Sequence, residues 1–257
     1  LKFEINALTL KKGLEDIQVK GKHLTSKGFS NSNFGSNVFA QCTGNELRLY
    51  NGDTIFLASL GVTVTNELTT SSEVSFDSSS LIPYLKSFGN QTITFEAGDY
   101  ITIIAGAKKA SVPKLVNHPN IEAVQRLKNM VAHIRYEPQP QTLWKFGNFN
   151  FEGAFSITNN YFIDCIKNCE LVKSGIYKLD FNQNVTISTT ETVTNSYTET
   201  INPVFRLGEP ATLQFSGALH SFFEKEQLLN FYVRDESPIL IVANDRMLMK
   251  APHVGGN

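Results

Sequence analysis

Cysteine is scarce in this sequence: Cys42, Cys165 and Cys169 are the only three in 257 residues. An odd, sparse set forms no disulfide framework and fits a reducing, intracellular compartment. No stretch reaches the ~18 consecutive apolar residues of a membrane helix, and Leu1-Lys2-Phe3-Glu4 carries no apolar leader. A surplus of positive charge is also missing. Lys and Arg number 23 against 24 Asp and Glu, for a formal net charge of -1. That excludes a generally basic nucleic-acid binder, so any contact with phosphate must come from a local grouping of cations. There is no glycine-rich phosphate loop, because Gly35, Gly44, Gly52 and Gly61 lie among strands and turns. His23, His118, His133, His220 and His253 are scattered without metal-ligand spacing. Cys165 and Cys169 share a helix face but have no further ligands nearby, so core packing is expected. No Ser or Cys stands in a nucleophile motif. An enzyme, a metal site and a cofactor are therefore not expected.

What the chain does have is apolar content and strand-like alternation. Hydrophobic residues make up 41% and charged residues 18%, enough for a substantial core. Leu1, Phe3 and Ile5 alternate as a short strand. Asn6 then precedes a helical pattern of Leu8, Leu10, Leu14 and Ile17, with Lys11, Lys12 and Glu15 off the stripe. Residues 23–76 read as strands, with turns at Thr43-Gly44-Asn45 and Asn51-Gly52-Asp53. Asp77-Ser78-Ser79-Ser80 caps a helix expected over Leu81–Phe88, in which Pro83 is tolerable only in the first turn. Strands at 92–96 and 100–105 follow.

From 151 the order restarts. A strand over 151–157 leads into a helix capped by Thr158-Asn159-Asn160. Strands at 176–181, 185–190, 197–201 and 211–215 come next. A helix starts at Ser216 and runs through Leu219, Phe222 and Phe223, and a closing set of strands ends near Met249. Each half thus runs strand, helix, strands, helix, strands, an internal repeat of over 100 residues. Helices embedded among antiparallel strands predict an α+β fold rather than a doubly wound one. The expected organisation is an N-terminal domain 1–107, a linker 108–150 and a C-terminal domain 151–257. Prolines interrupt the linker, and Ile121, Val124, Leu127, Val131 and Ile134 form one amphipathic stripe within it. Trp144, the only Trp, is expected to be a packing anchor.

Several segments resemble the DNA sliding-clamp family, in its proliferating-cell-nuclear-antigen and phage branches. Ala7-Leu8-Thr9-Leu10-Lys11-Lys12-Gly13-Leu14-Glu15 is similar to that family's first helix. Leu85-Lys86 ahead of Gly89-Asn90 is similar to the second, Phe162–Lys167 to the third and Phe222-Phe223-Glu224-Lys225 to the fourth. Ser237-Pro238-Ile239-Leu240 and Ala251-Pro252 resemble its C-terminal hairpin. The likeness covers most of the chain but not residues 113–150.

The resemblance implies a ring with two clamp-type repeats per subunit, sheets outside and helices lining a central channel. It implies a homotrimer that encircles duplex DNA without reading its sequence and works with a DNA polymerase and a clamp loader. It places Lys11, Lys12, Lys86, Lys167 and Lys225 toward DNA, with Lys20 and His220 beside them. Pro83, Ala218 and the flanking Glu224 and Glu226 make that surface less positive than in relatives. The family's partner pocket, which takes short peptides, falls here around Tyr50, Ile55, Val112, Leu115, Pro238, Ala251 and Pro252. Subunit contacts are expected near 99–112 and 176–190. The long linker points to a viral or mobile-element origin, in a cytoplasm, host cytoplasm or nucleus. A competing reading is a β-rich structural or adhesive module, such as a virion component, motivated by the Thr/Ser/Asn-rich stretch 184–202.

Overall fold

A computed structural model describes residues 1–19, 21–25, 28–32, 35–53, 56–66, 70–116, 118–146, 149–192, 195–217 and 219–253. The chain divides into two compact units, one of Leu1–Val19 with Asn33–Asn129, the other of Lys20–Ser32 with Met130–Asn257.

The first half runs β1 (Lys2–Asn6), α1 (Ala7–Asp16), β2 (Gly21–Thr25), β3 (Gly28–Ser32), β4 (Asn37–Thr43), β5 (Glu46–Gly52), β6 (Phe56–Thr63), β7 (Ser72–Asp77), α2 (Ser78–Phe88), β8 (Thr92–Ala97), β9 (Tyr100–Ala105), β10 (Lys108–Pro113) and α3 (Pro119–Val131). The second runs β11 (Lys145–Phe146), β12 (Phe149–Asn150), β13 (Gly153–Thr158), α4 (Asn159–Glu170), β14 (Ile176–Phe181), β15 (Val185–Thr192), β16 (Asn195–Ile201), β17 (Phe205–Gly208), β18 (Ala211–Ser216), a 3-10 turn (Leu219–Phe222), β19 (Leu228–Val233), β20 (Ile239–Val242) and β21 (Arg246–Lys250). No helix among the described residues is long and apolar enough to cross a membrane.

The internal repeat is visible in the strand order. The first unit has sheets ordered β6-β5-β4-β7 and β1-β8-β9-β10; the second has β16-β15-β14-β18 and β13-β19-β20-β21, with β17 added beside β13. All the pairings described within these sheets are antiparallel. The β2–β3 hairpin is an addition that groups with the second unit.

In the first unit, alternation sends Phe3, Ile5, Ile93, Phe95, Ile101 and Ile103 into the core. Phe3 stacks on Phe95 at 4.7 Å. Helix α1 buries Ala7, Leu10, Gly13 and Leu14. Gly13 lets the helix approach the sheet: a Cβ there would lie 3.3 Å from both Leu49 and Val62. In the second unit Phe155 stacks on Phe231 at 4.7 Å, and Phe162 meets Phe231 edge-on at 5.1 Å.

Some sequence expectations change. Leu8 is exposed, because it lies about 200° around the helix from Leu10 and so leaves the buried stripe. Asp77 caps α2 one residue before Ser78, so Pro83 falls inside the helix rather than in its first turn. The bond its missing N–H would have made is the one to the carbonyl of Ser79, an exposed residue. The turn expected at Asn51-Gly52 is the end of β5, where a Cβ on Gly52 would meet the Phe56 carbonyl oxygen at 2.4 Å. The helix expected from Ser216 is the single 3-10 turn over Leu219–Phe222, entered through Gly217 at a φ of 95°. Finally, β14 and β15 each have neighbours on both sides, so the free edges of that sheet are β16 and β18.

Candidate nucleic-acid and partner interfaces

The residues of the first unit expected to face DNA, Lys11, Lys12 and Lys86, sit on α1 and α2, which pack together. Asn6 caps α1 by accepting from the N–H groups of Leu8 and Thr9. Its own amide donates to Asn90 at 2.7 Å, joining the start of α1 to the end of α2. Lys11 is half-buried and pairs with Glu15 at 2.8 Å; Lys12 lies 4.0 Å from Asp16. These pairs, one helical turn apart, offset part of the positive charge that α1 presents. Lys86 is exposed in the last turn of α2, where the helix dipole favours a cation. Sequence reasoning missed Lys108. It reaches from β10 to the Ser87 carbonyl at 3.4 Å and lies 6.0 Å from the Phe88 ring centroid, adding a cation beside α2. Lys20 lies outside the described residues.

In the second unit Lys167 is exposed in the last turn of α4. His220 lies in the 3-10 turn, edge-on to Phe162 at 6.1 Å. Burial, and then the Lys167 charge, push the His220 pKa down to about 4. The imidazole is therefore neutral at pH 7, and what it brings to this face is shape rather than charge. Lys225 is exposed in the following turn. Its acidic neighbours are engaged elsewhere: Glu224 pairs with Arg246 at 3.3 Å, and Glu226 accepts from the Asn160 amide at 2.8 Å.

The residue that organises this segment is Asn159, read in the sequence only as part of a cap. It is fully buried, and its amide donates to the carbonyls of His220, Phe223 and Glu224 at 3.2, 3.0 and 3.2 Å. Its backbone N–H donates to Gln227. One side chain thus fixes the turn carrying His220 and Lys225 against the start of α4. An Asn at a helix start ordinarily signals local capping, so nothing in the sequence flags this long-range role.

The proposed partner residues divide between the units. In the first, Val112 is a buried β10 residue, and the Leu115 N–H donates to the Ser75 carbonyl at 2.8 Å. Tyr50 pairs with Phe39 across β5 and β4, ring centroids 5.9 Å apart. Alternation places both rings on the face opposite Leu49, the face that also carries Gln41, Arg48, Glu73 and Ser75. Helix α3 covers them. Lys128, 8% exposed, sets its ammonium 4.7 Å from the Phe39 centroid and 5.8 Å from that of Tyr50, and pairs with Glu73 at 3.3 Å. Beside α3 is a cleft of about 460 Å³ whose walls include Phe39, Val74, Leu115 and Ile121.

In the second unit Pro238, Ala251 and Pro252 are half-buried. There the segment after α3 performs a similar covering: Asn230, bonded to Ser156 at 2.7 Å, donates its amide to the Glu137 carbonyl, and Phe151 lies 5.9 Å from the Tyr232 ring. Trp144 contacts His133 edge-on at 5.6 Å. Ile55 lies outside the described residues.

The three thiols are buried, and burial pushes their pKa values up. Cys165 and Cys169 also face Glu199, which discourages a thiolate further. Among the described residues no cluster of His, Cys, Asp and Glu could hold a metal ion.

The duplicated α+β unit, with one strand order in both halves, defines the class of fold. It is the fold of the DNA polymerase sliding clamps. The DNA polymerase III beta subunit of Thermotoga maritima aligns with 100% of this chain and 66% of its own, at a TM-score of 0.72 and 14% identity. The Bacillus subtilis sliding clamp aligns with 100% and 65%, at 0.70 and 14%. A. fulgidus PCNA, solved with the C-terminal region of FEN-1, aligns with 100% and 99%, at 0.66 and 12%. The chain therefore spans just under two thirds of the T. maritima and B. subtilis subunits and nearly all of the A. fulgidus protein. No protein-family model and no curated protein matches the sequence.

Proposed function

We propose that this chain is a sliding-clamp subunit: a non-enzymatic processivity factor that encircles duplex DNA and tethers a DNA polymerase to it. The observation that carries this reading is the clamp topology, present in both units and extending over the whole chain. Exposed Lys12, Lys86, Lys167 and Lys225 on helices and turns of both units supply cations for phosphate. Contacts of that kind hold DNA without reading bases and leave the ring free to slide.

Three subunits with two repeats each give six repeats, a closed homotrimeric ring loaded by a clamp loader. In this reading edge strand β10, with exposed Lys108 and Lys109, pairs with edge strand β16, which carries Glu199, of the next subunit. Partners are replication proteins that insert short peptides, in the intracellular compartment where the DNA is copied. Two structures of this fold hold such segments: A. fulgidus PCNA with the FEN-1 region, and the Helicobacter pylori beta clamp with a DNA ligase peptide.

The decisive measurement is retention on nicked circular DNA before and after linearisation. A ring stays on the circle and runs off the ends. Equal loss from both forms would rule it out.

A further inference from the structure

The outer face of the β5–β4–β7 sheet presents an unusual pairing of chemistry. Gln41, Arg48, Glu73 and Ser75 make it polar, yet Phe39 and Tyr50 sit side by side in its middle. Phe39 is only 2% exposed, and α3 lies across it. The helix is held there by side chains, since among the described residues the backbone bonds at its start close on its own cap, from Ile121 and Glu122 to the His118 carbonyl. Ile121, Val124 and Lys128 fall at i, i+3 and i+7, one stripe of a helix, and all three are buried. Lys128 meets the three groups that suit a cation, the two ring faces and the Glu73 carboxylate. Even so, α3 leaves the face incompletely filled. The cleft beside it remains open, and Val116 near its rim is 74% exposed.

We propose that this face is a docking surface for an amphipathic helix carrying a basic residue seven positions after an apolar anchor, and that α3 is its resident occupant. A partner helix of the same chemistry displaces α3 and takes its place. This rests on the reading of the Tyr50 region as partner-binding. It adds the class of partner, a basic amphipathic helix, and the contact that restrains access, the Lys128 clasp. Helix-in-groove recognition of this kind uses anchors on one face of the incoming segment.

The test uses the full chain and, as probe, a fluorescein-labelled synthetic peptide of residues 118–134. Weakening the hold of the resident helix frees the face, so Lys128→Gln and, independently, Val124→Ala chains, both altered on α3 and not on the face, should bind the peptide about tenfold more tightly than the wild type by fluorescence anisotropy. The same peptide with K128E should lose about tenfold in affinity. Hydrogen exchange should quicken across 119–131 in both variants while β4 and β5 hold their protection. The proposal is overturned if neither variant binds the peptide saturably, or if α3 amides exchange no faster in either variant than in the wild type. Retention of the wild-type chain on circular DNA is read separately. Retention without peptide binding removes the docking surface alone, whereas failure of retention removes the ring.

Discussion

Phe39 and Tyr50 stand directly opposite each other in the β4–β5 register, with their rings 5.9 Å apart and tilted by 54°. On a face otherwise made of polar side chains, this pair gives the linker helix something to pack on. Phe39→Ala removes the ring beneath Lys128 and opens a void under α3. The expected cost is about 3 kcal/mol, at the lower end of the range for a buried Phe, seen as a lower urea midpoint with little change in slope.

Asn159 should be among the most sensitive polar positions. Asn159→Ala leaves the carbonyls of His220, Phe223 and Glu224 without their shared donor. A loss of about 2–3 kcal/mol is expected, together with faster hydrogen exchange confined to 219–227 and the first turn of α4. Unchanged exchange in that turn would argue against its organising role.

His220 gives a pH dependence of defined sign. Its pKa is about 4 in the folded chain against an ordinary value of 6.5. The unfolded chain therefore takes up the proton first. Stability falls as pH drops below 6.5 and levels off below about 4, with a total of roughly 3 kcal/mol for this one group. His220→Leu should flatten that limb, so the unfolding free energy of the mutant minus that of the wild type should be more positive at pH 4.5 than at pH 7.5.

The basic residues predict a salt signature. Lys86→Ala, Lys167→Ala and Lys225→Ala should each lower the slope of log affinity against log salt by roughly 1 for duplex DNA, without altering preference among sequences. Lys11→Ala should have a smaller effect, because Lys11 is half-buried against Glu15. Slopes unchanged in all of the first three would remove these helices from the DNA surface.

The edge strand β10 predicts the state of assembly. Lys108→Glu with Lys109→Glu places like charge opposite Glu199 in the proposed β10–β16 contact. Sedimentation should then shift from three copies of the 28.6 kDa chain toward one. A wild-type chain that sediments as a monomer at high concentration would exclude the closed trimer.

The sequence by itself determined the duplicated α+β pattern. Alternation in Phe3-Glu4-Ile5 and Tyr100–Ala105, the caps at Asn6 and Asp77, and the stripe on α3 are local signals, set by the periods of strand and helix. It also singled out Lys86, Lys167 and Lys225, which the fold leaves exposed. It did not reveal Lys128, Lys108 or Asn159. A Lys in an amphipathic helix reads as solvated, and Leu127 looked the better core residue. Lys128 is buried only because Phe39, Tyr50 and Glu73, remote in sequence, converge where it lies. The neutrality of His220 likewise depends on burial beside Lys167, and the shortening of the fourth helix to one 3-10 turn accompanies the hold of Asn159 on its carbonyls. Local periodicity decided which elements form. Which polar and charged side chains are withdrawn from water was decided by what packs over them, and that is a property of the tertiary structure alone.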